Sequence, residues 1–372
     1  MQRCTKVIPA IGWVAMSYGF IVIALVLAVA LIRLAWFRGP FANAPEPPKG
    51  IIDMHCHTAG IGEGGSGAWI SEELRQSWKF PLYLKIFGSS HAMLKAKGDQ
   101  AILEIIAQSV NESEHVDGAV ILAMDEPYSI DGEINLADGE VCVPNRFVGE
   151  SVKPYENLYF GASVHPNRKD ALEELEWSKE NGAALIKWLP NIQDIDPSNP
   201  SYRDYYQRMV ALNLPLLTHV GDEDSFSKTN NALADPQLLR FPLECGVRVI
   251  AAHVASSGER DGQENIDRLL EMMPVYPNLY TDISTLTQFN RKRYLNKVLN
   301  DPRLKGRMMY GTDYPLTNTP MASPLQFPLN LKFSQLWSLW RTRNSWDRDV
   351  RLKAALGTPK EVFTLSRQFL GL

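Results

Sequence analysis

Of the seven histidines in the 372-residue chain, most stand where a short apolar run ends. His55 and His57 close the first such run, His165 the third, His219 the fifth and His253 the sixth, while Lys187 lies at the end of the fourth and Asp313 closes the eighth. Imidazole nitrogens grouped with a carboxylate are ligands for Zn²⁺ or a neighbouring divalent ion, and a coordination position left open lets the ion take up water. A single histidine at a strand end is ordinarily a hydrogen-bonded partner and nothing more. Several that converge at one place need partners for their buried polar atoms, and a cation supplies one. Residues two apart on an extended strand share a face, so His55 and His57 point together and Cys56 points away from them.

Eight strand-type runs must hold these residues: Gly50 to His55, Asp117 to Ala123, Leu158 to Val164, Ala183 to Leu189, Pro215 to Val220, Val247 to His253, Asn278 to Ser284 and Met308 to Asp313. Several are almost continuously apolar, the pattern of parallel strands covered on both sides. Helix-type stretches alternate with them, such as Asp170 to Asn181, Tyr202 to Leu212 and Gly262 to Met273. Eightfold alternation predicts an α/β fold, a (β/α)₈ TIM barrel, with a doubly wound open sheet as the fallback. The strand-end residues then all fall at the C-terminal mouth. Two long connections follow strands and belong at that mouth: one from Thr58 to about Lys97, glycine-rich and then aromatic, and one from Asp125 to Asn145, with turn signals at Asp131-Gly132 and Asp138-Gly139.

With 38 Lys and Arg against 42 Asp and Glu, no basic excess exists to neutralise phosphates, so nucleic acid is not an expected partner. At 45% hydrophobic and 22% charged, the chain has the composition of a globular protein. Cys56, Cys142 and Cys245 beyond the N-terminal segment are an odd number, so no fully paired disulfide framework is implied.

The strings Ile51-Ile52-Asp53-Met54-His55-Cys56-His57, Leu217-Thr218-His219, Ile250-Ala251-Ala252-His253 and Gly311-Thr312-Asp313-Tyr314-Pro315 resemble signature elements of the amidohydrolase superfamily. Lys187-Trp188-Leu189-Pro190 and Asn278 to Ser284 add a likeness to its amidohydrolase-2 branch of hydrolases, decarboxylases and hydratases. The resemblance runs from residue 50 to about 360 and implies a metallo-dependent hydrolase barrel. It implies that His55, His57, His219 and Asp313 bind the metal, expected to be one divalent ion with Zn²⁺ foremost, and that His253 stands beside it; Asp313 is then expected to take the proton from water while His253 orients the hydroxide or stabilises developing negative charge. Lys187 is expected unmodified; a second ion would need a carboxylated, bridging Lys187. Lys187 and His165 are otherwise candidates for substrate contact, with a structural hydrogen bond as the alternative for His165. Asp282 and Ser284 read as structural hydrogen-bonders, His115 as structural, and Asp222, Glu223 and Asp224 as a solvated acidic loop.

The expected reaction is hydrolysis of a small carbonyl substrate by activated water, the alternative being decarboxylation of a carboxylated ring or enoic acid. A membrane-tethered module without activity is disfavoured by the complete ligand set. The uncharged run from Val7 to Ile32 would span about 39 Å as a helix, more than the ~30 Å core of a bilayer. It is too long for a signal h-region, and Arg33, Arg38 and Pro45 sit badly for cleavage. The chain is therefore divided into a tail (1–6), a transmembrane anchor (7–35), a Pro-rich linker (36–49) and the barrel (50–372). Flanking charges favour a cytoplasmic barrel only narrowly. Oligomeric state has no signal in the sequence.

Overall fold

The computed structural model describes residues 19–30, 46–137 and 139–372. The expected transmembrane anchor and linker lie mostly outside the described residues. Residues 19–30 are helical and exposed, and no helix among the described residues is long and apolar enough to cross a membrane.

Eight strands, β1 (Ile51–His57), β2 (Val116–Leu122), β3 (Leu158–Ala162), β4 (Ala183–Trp188), β5 (Leu216–Thr218), β6 (Val249–Ala251), β7 (Leu279–Asp282) and β8 (Met308–Met309), pair in parallel in chain order. Past Met309 the chain keeps running along β1 and closes the ring: Asp313 N donates to His55 O at 2.8 Å and His57 N to Tyr314 O at 3.0 Å. This is the barrel expected, not the open sheet. Asp53 pins the seam from outside. Its carboxylate accepts the Thr312 backbone N–H (3.0 Å), the Thr312 hydroxyl, the His55 N–H (3.1 Å) and the Trp346 indole N–H (2.8 Å).

Strand alternation sorts the core into two. Ile52, Met54, Val120, Leu122, Leu185, Leu217, Ile250 and Met309 point inward and fill the lower barrel. The residues of opposite parity face the surrounding helices in a larger cluster. The helices form because their apolar residues recur at helical spacing: in Asn265–Met272, Ile266, Leu269 and Leu270 are buried, followed by Met273. The C-terminal helix Lys360–Leu370 has a different task, plugging the bottom of the barrel with Leu365, Phe369 and Leu370. Its Arg367 Nε donates to Gly50 O at 2.9 Å, and Phe369 packs on Tyr280 with ring centroids 4.7 Å apart.

The two long connections rise at the mouth. The first carries three short helices, Glu72–Gln76, Phe80–Ile86 and His91–Lys97. Trp69–Ile70 pairs antiparallel with Val141–Cys142 of the second, which tethers one insertion to the other. Cys56, Cys142 and Cys245 are free.

Candidate metal centre

Going up each strand, the inner position changes from apolar to polar at one level. Leu185 is followed two residues on by Lys187, Leu217 by His219 and Tyr280 by Asp282. On β1 strict alternation would forbid this, because Met54 already points inward. A register shift between Asp53 and Cys56 against β2 resolves the conflict, and His55 and His57 both face the interior above Met54. The last two contributors arrive on left-handed backbone, His253 at φ 57° and Asp313 at φ 57°, a conformation costly for residues other than glycine and concentrated at functional sites. Gly311 is required beneath them: a Cβ there would stand 2.8 Å from that of His55.

His55 Nε2 and His57 Nε2 face each other at 3.2 Å, and Asp313 Oδ1 lies 3.3 and 3.1 Å from them. His55 Nδ1 donates to Asp282 Oδ2 at 2.9 Å, which turns its Nε2 toward His57 and Asp313. Burial lowers the His57 pKa and keeps that ring neutral. Burial pushes the Asp313 carboxyl up, but the imidazoles of His55, His253 and His57 outweigh it and hold it ionised well below the usual range. Two imidazole nitrogens and one anionic oxygen thus converge, and this donor set fits a divalent cation.

A second trio, His55, His253 and Asp282, is explained by hydrogen bonds instead. Asp282 Oδ1 accepts the backbone N–H of His253 (2.9 Å) and of Ser284 (3.0 Å), and also the Ser284 hydroxyl proton. With its proton committed there, Ser284 Oγ must accept from His253 Nδ1, 2.7 Å away. His253 Nε2 is left as an acceptor aimed at Asp313 Oδ2 across 3.7 Å. One buried carboxylate therefore fixes the tautomers of two imidazoles. Burial also holds the His253 pKa well below its usual value.

Lys187 joins the group, its Nζ 3.1 Å from His55 Nε2, and burial lowers its pKa to about 8. His219 is in the same wall, its ring 5.3 Å from that of His253, but it does not join the trio. Its Nε2 meets Gly221 O at 3.1 Å and its Nδ1 faces Glu223 Oε2 at 3.8 Å; coordination would require the Gly221 contact to be given up. Burial takes its pKa down to about 4. The acidic loop is not simply solvated as expected: the Glu223 side chain is 12% exposed against His219, and Asp222 is paired with Arg260 at 2.7 Å. His165 stands apart from the group. Asn167 N–H donates to its Nδ1 at 3.0 Å and its Nε2 donates to Gln193 O at 2.9 Å, which occupies both nitrogens. His115 holds Pro48 O through Nδ1 at 3.2 Å, below the barrel.

Arg291, in the connection after β7, escaped the sequence reading. Its Nε and Nη1 are buried and have no hydrogen-bond partner among the described residues, in the field of Asp313, Glu223 and Asp282. The only sequence signal was its place in a connection at the mouth.

Above the polar level opens a cleft of about 310 Å³. His57, Lys187, His219, His253 and Asp313 form its floor; Phe80, Tyr83, Phe87 and Phe226 are among its mostly apolar walls. The first insertion supplies much of the roof.

Residues 52–365 match the family model described as amidohydrolase, and the chain belongs to that family of enzymes. Among curated proteins none matches its sequence. Its fold is shared with an uncharacterised TIM-barrel protein from Bordetella bronchiseptica: 12% identity, 82% of this chain and 99% of that one covered, TM-score 0.50. Weaker likenesses are to 5-carboxyvanillate decarboxylase from Sphingomonas paucimobilis (14% identity, 84% and 98% covered, TM-score 0.44) and to N-acetyl-D-glucosamine-6-phosphate deacetylase from Mycobacterium smegmatis (11% identity, 87% and 76% covered, TM-score 0.44).

Proposed function

We propose that this enzyme is a metal-dependent hydrolase of a small carbonyl compound, an amide, lactone or ester with an apolar body, using one Zn²⁺ per chain. The convergence of His55 Nε2, His57 Nε2 and Asp313 Oδ1 on the floor of an apolar cleft carries this reading. A divalent ion held by these atoms, with His219 as a fourth donor, would acidify water and polarise the substrate carbonyl. The chain's own groups do the rest. Asp313 is ionised and accepts the proton of the attacking water at Oδ2, then returns it to the leaving group. His253, with its Nδ1 proton committed to Ser284, offers Nε2 as an acceptor that orients the water. The apolar walls exclude bulk water and take the body of the substrate.

A second reading, decarboxylation of a carboxylated ring or enoic acid, is favoured by two cations, Lys187 on the cleft floor and Arg291 in the field of Asp313, Glu223 and Asp282. Lys187 faces the cleft, where it can meet a substrate carboxylate. Elemental analysis followed by product identification over a panel of amides, lactones, esters and aromatic acids separates the two. Release of CO₂ without hydrolysis of any neutral substrate would reject the first reading. A single-pass anchor over 7–35 and a cytoplasmic barrel belong to the same proposal, supported by the length of the uncharged run and its flanking charges. A C-terminal reporter fusion tests the side.

A further inference from the structure

The helix Phe333–Arg341 turns an aromatic face away from the protein. Phe333, Trp337 and Trp340 recur at i, i+4 and i+7 and are 81%, 50% and 56% exposed. Its other side supplies Leu339 to a small core with Phe327, Leu331 and Leu352, so packing is complete without the aromatic face. Exposed Leu325 stands on a turn that the helix packs against, and exposed Phe289 is bonded to the backbone of exposed Met321 at 3.0 Å. The patch is thus contributed by the connection after β7 and the long one after β8.

Charge along this stretch of the chain has one sign. From Tyr314 to Trp346 the chain has no Asp or Glu, but it carries Lys332, Arg341 and Arg343. Lys292 adds an ammonium 5.2 Å from the Phe289 ring centroid, and Arg341 lies 5.9 Å from that of Trp337. The next acid, Asp347, is buried and occupied by Ser113 Oγ and Glu114 N.

Tryptophan and phenylalanine rimmed by cations are what the headgroup level of an anionic bilayer accommodates: rings enter the interface and Lys and Arg stay with the phosphates. The chain also points to this occupant, on the expectation that the run 7–32 is membrane-embedded. The linker 36–49 reaches about 43 Å when fully extended, which keeps the barrel within contact of the surface that holds the anchor. We infer that the helix Phe333–Arg341, with Phe289, Met321 and Leu325, docks the barrel on an anionic phospholipid surface as a second membrane contact. The docked face adjoins the mouth: Asn318 Nδ2 donates to Ile86 O of the roof at 2.7 Å, and Leu316 lines the cleft.

The test uses the full chain reconstituted into vesicles of equimolar phosphatidylcholine and phosphatidylglycerol with brominated acyl chains, which quench tryptophan at the interface. Replacing Trp337→Ser and Trp340→Ser together is expected to lower the quenched fraction from about four tryptophans in nine to about two in seven, because Trp13 and Trp36 contribute equally to both proteins. The triple variant Lys332→Glu, Arg341→Glu, Arg343→Glu, with all tryptophans retained, should fall further, to about two in nine, and high salt should mimic it in the wild type. Quenching unchanged by either set of substitutions overturns the docking and leaves the anchor standing. A full chain that fails to float with vesicles overturns both. Association of the chain with itself that depends on Trp337 and Trp340 in detergent without lipid would assign the face to a second copy and also overturn the proposal.

Discussion

His55 Nδ1 and Asp282 Oδ2, from the first and seventh strands, are 2.9 Å apart and fully buried. Burial pushes the Asp282 carboxyl up, yet the His55 imidazole and the hydrogen bonds from His55 and Ser284 more than reverse this, so Asp282 stays ionised. Asp282→Asn should therefore release the His55 tautomer and turn the His253–Ser284 relay at the same time. We expect divalent-ion affinity to fall roughly 10- to 100-fold, as for other partners of ligating histidines, measured by chelator competition. Unchanged affinity and turnover would reduce Asp282 to a packing role.

The ligand assignments separate by metal content and kcat. His55→Ala and His57→Ala should lose ion and activity together, since too few donors remain. His219→Ala should do the same if the ring turns from Gly221 to the ion, whereas full metal retention would mean that the observed orientation persists. Asp313→Asn keeps a weak oxygen donor but no proton acceptor, so much of the ion should stay while kcat falls by roughly 10² to 10⁴. His253→Ala should keep the ion and lose turnover; metal loss equal to that of His57→Ala would make it a ligand.

Arg291→Met removes an unpartnered buried cation. Folding stability should be unchanged or improved, because an uncompensated charge is costly in the interior. For carboxylated substrates KM should rise roughly 10-fold or more, the loss of one charge-assisted contact, with neutral amides and lactones unaffected. Equal effects on charged and neutral substrates would show that Arg291 only shapes the site.

The barrel should weaken in acid, and His165 isolates one proton of that effect. Its folded pKa, lowered to about 4 by burial, lies below the unfolded value near 6.5, so between these pH values the unfolded state holds the extra proton. Stability contributed here is complete above about pH 6.5 and is lost as pH falls toward 4, at up to about 1.4 kcal/mol per pH unit. Asp125, raised to about 6 by burial, works in the opposite direction, gaining stability as pH falls through 6. Urea midpoints of wild type and His165→Gln at pH 7 and pH 5 should show a shallower acid loss in the variant. Parallel lines for the two proteins would contradict the assignment.

Asp53→Ala should be among the most damaging single changes at a residue that does not line the cleft. It strands the Trp346 indole, the Thr312 hydroxyl and two backbone N–H groups in the interior, each worth about 1–3 kcal/mol when left unpaired. A loss of less than about 1 kcal/mol by urea denaturation would mean that the seam repacks or admits water.

The barrel was legible because eight apolar runs alternate with helix-type stretches and most of them end in chemistry-bearing residues, and the elements fall within a few residues of those runs. Alternation alone did not reveal how Met54 and His55 could both face inward; that depends on a register shift set by pairing with β2. Glu223 read as solvated because an acidic triplet has no signature of burial, and only the fold brings His219 over it. Arg291 and the plugging role of Lys360–Leu370 were invisible for the same reason: each is defined by residues remote in the chain. His165 and His219 occupy similar sequence positions, yet one is consumed by Asn167 and Gln193 while the other stays in the wall of the cleft.

The seam between β8 and β1 joins residues 259 apart in the chain, Asp53 and Thr312. During synthesis His55 and His57 leave the ribosome long before Asp313, so a nascent chain displays two imidazoles without the carboxylate or the buried Asp282 that orients them. On the proposed ligand set, ion capture would be postponed to the last stage of assembly, and an interrupted product would have no competent site to fill. Chains truncated before Met308 should accordingly retain no ion through gel filtration, while the complete chain does.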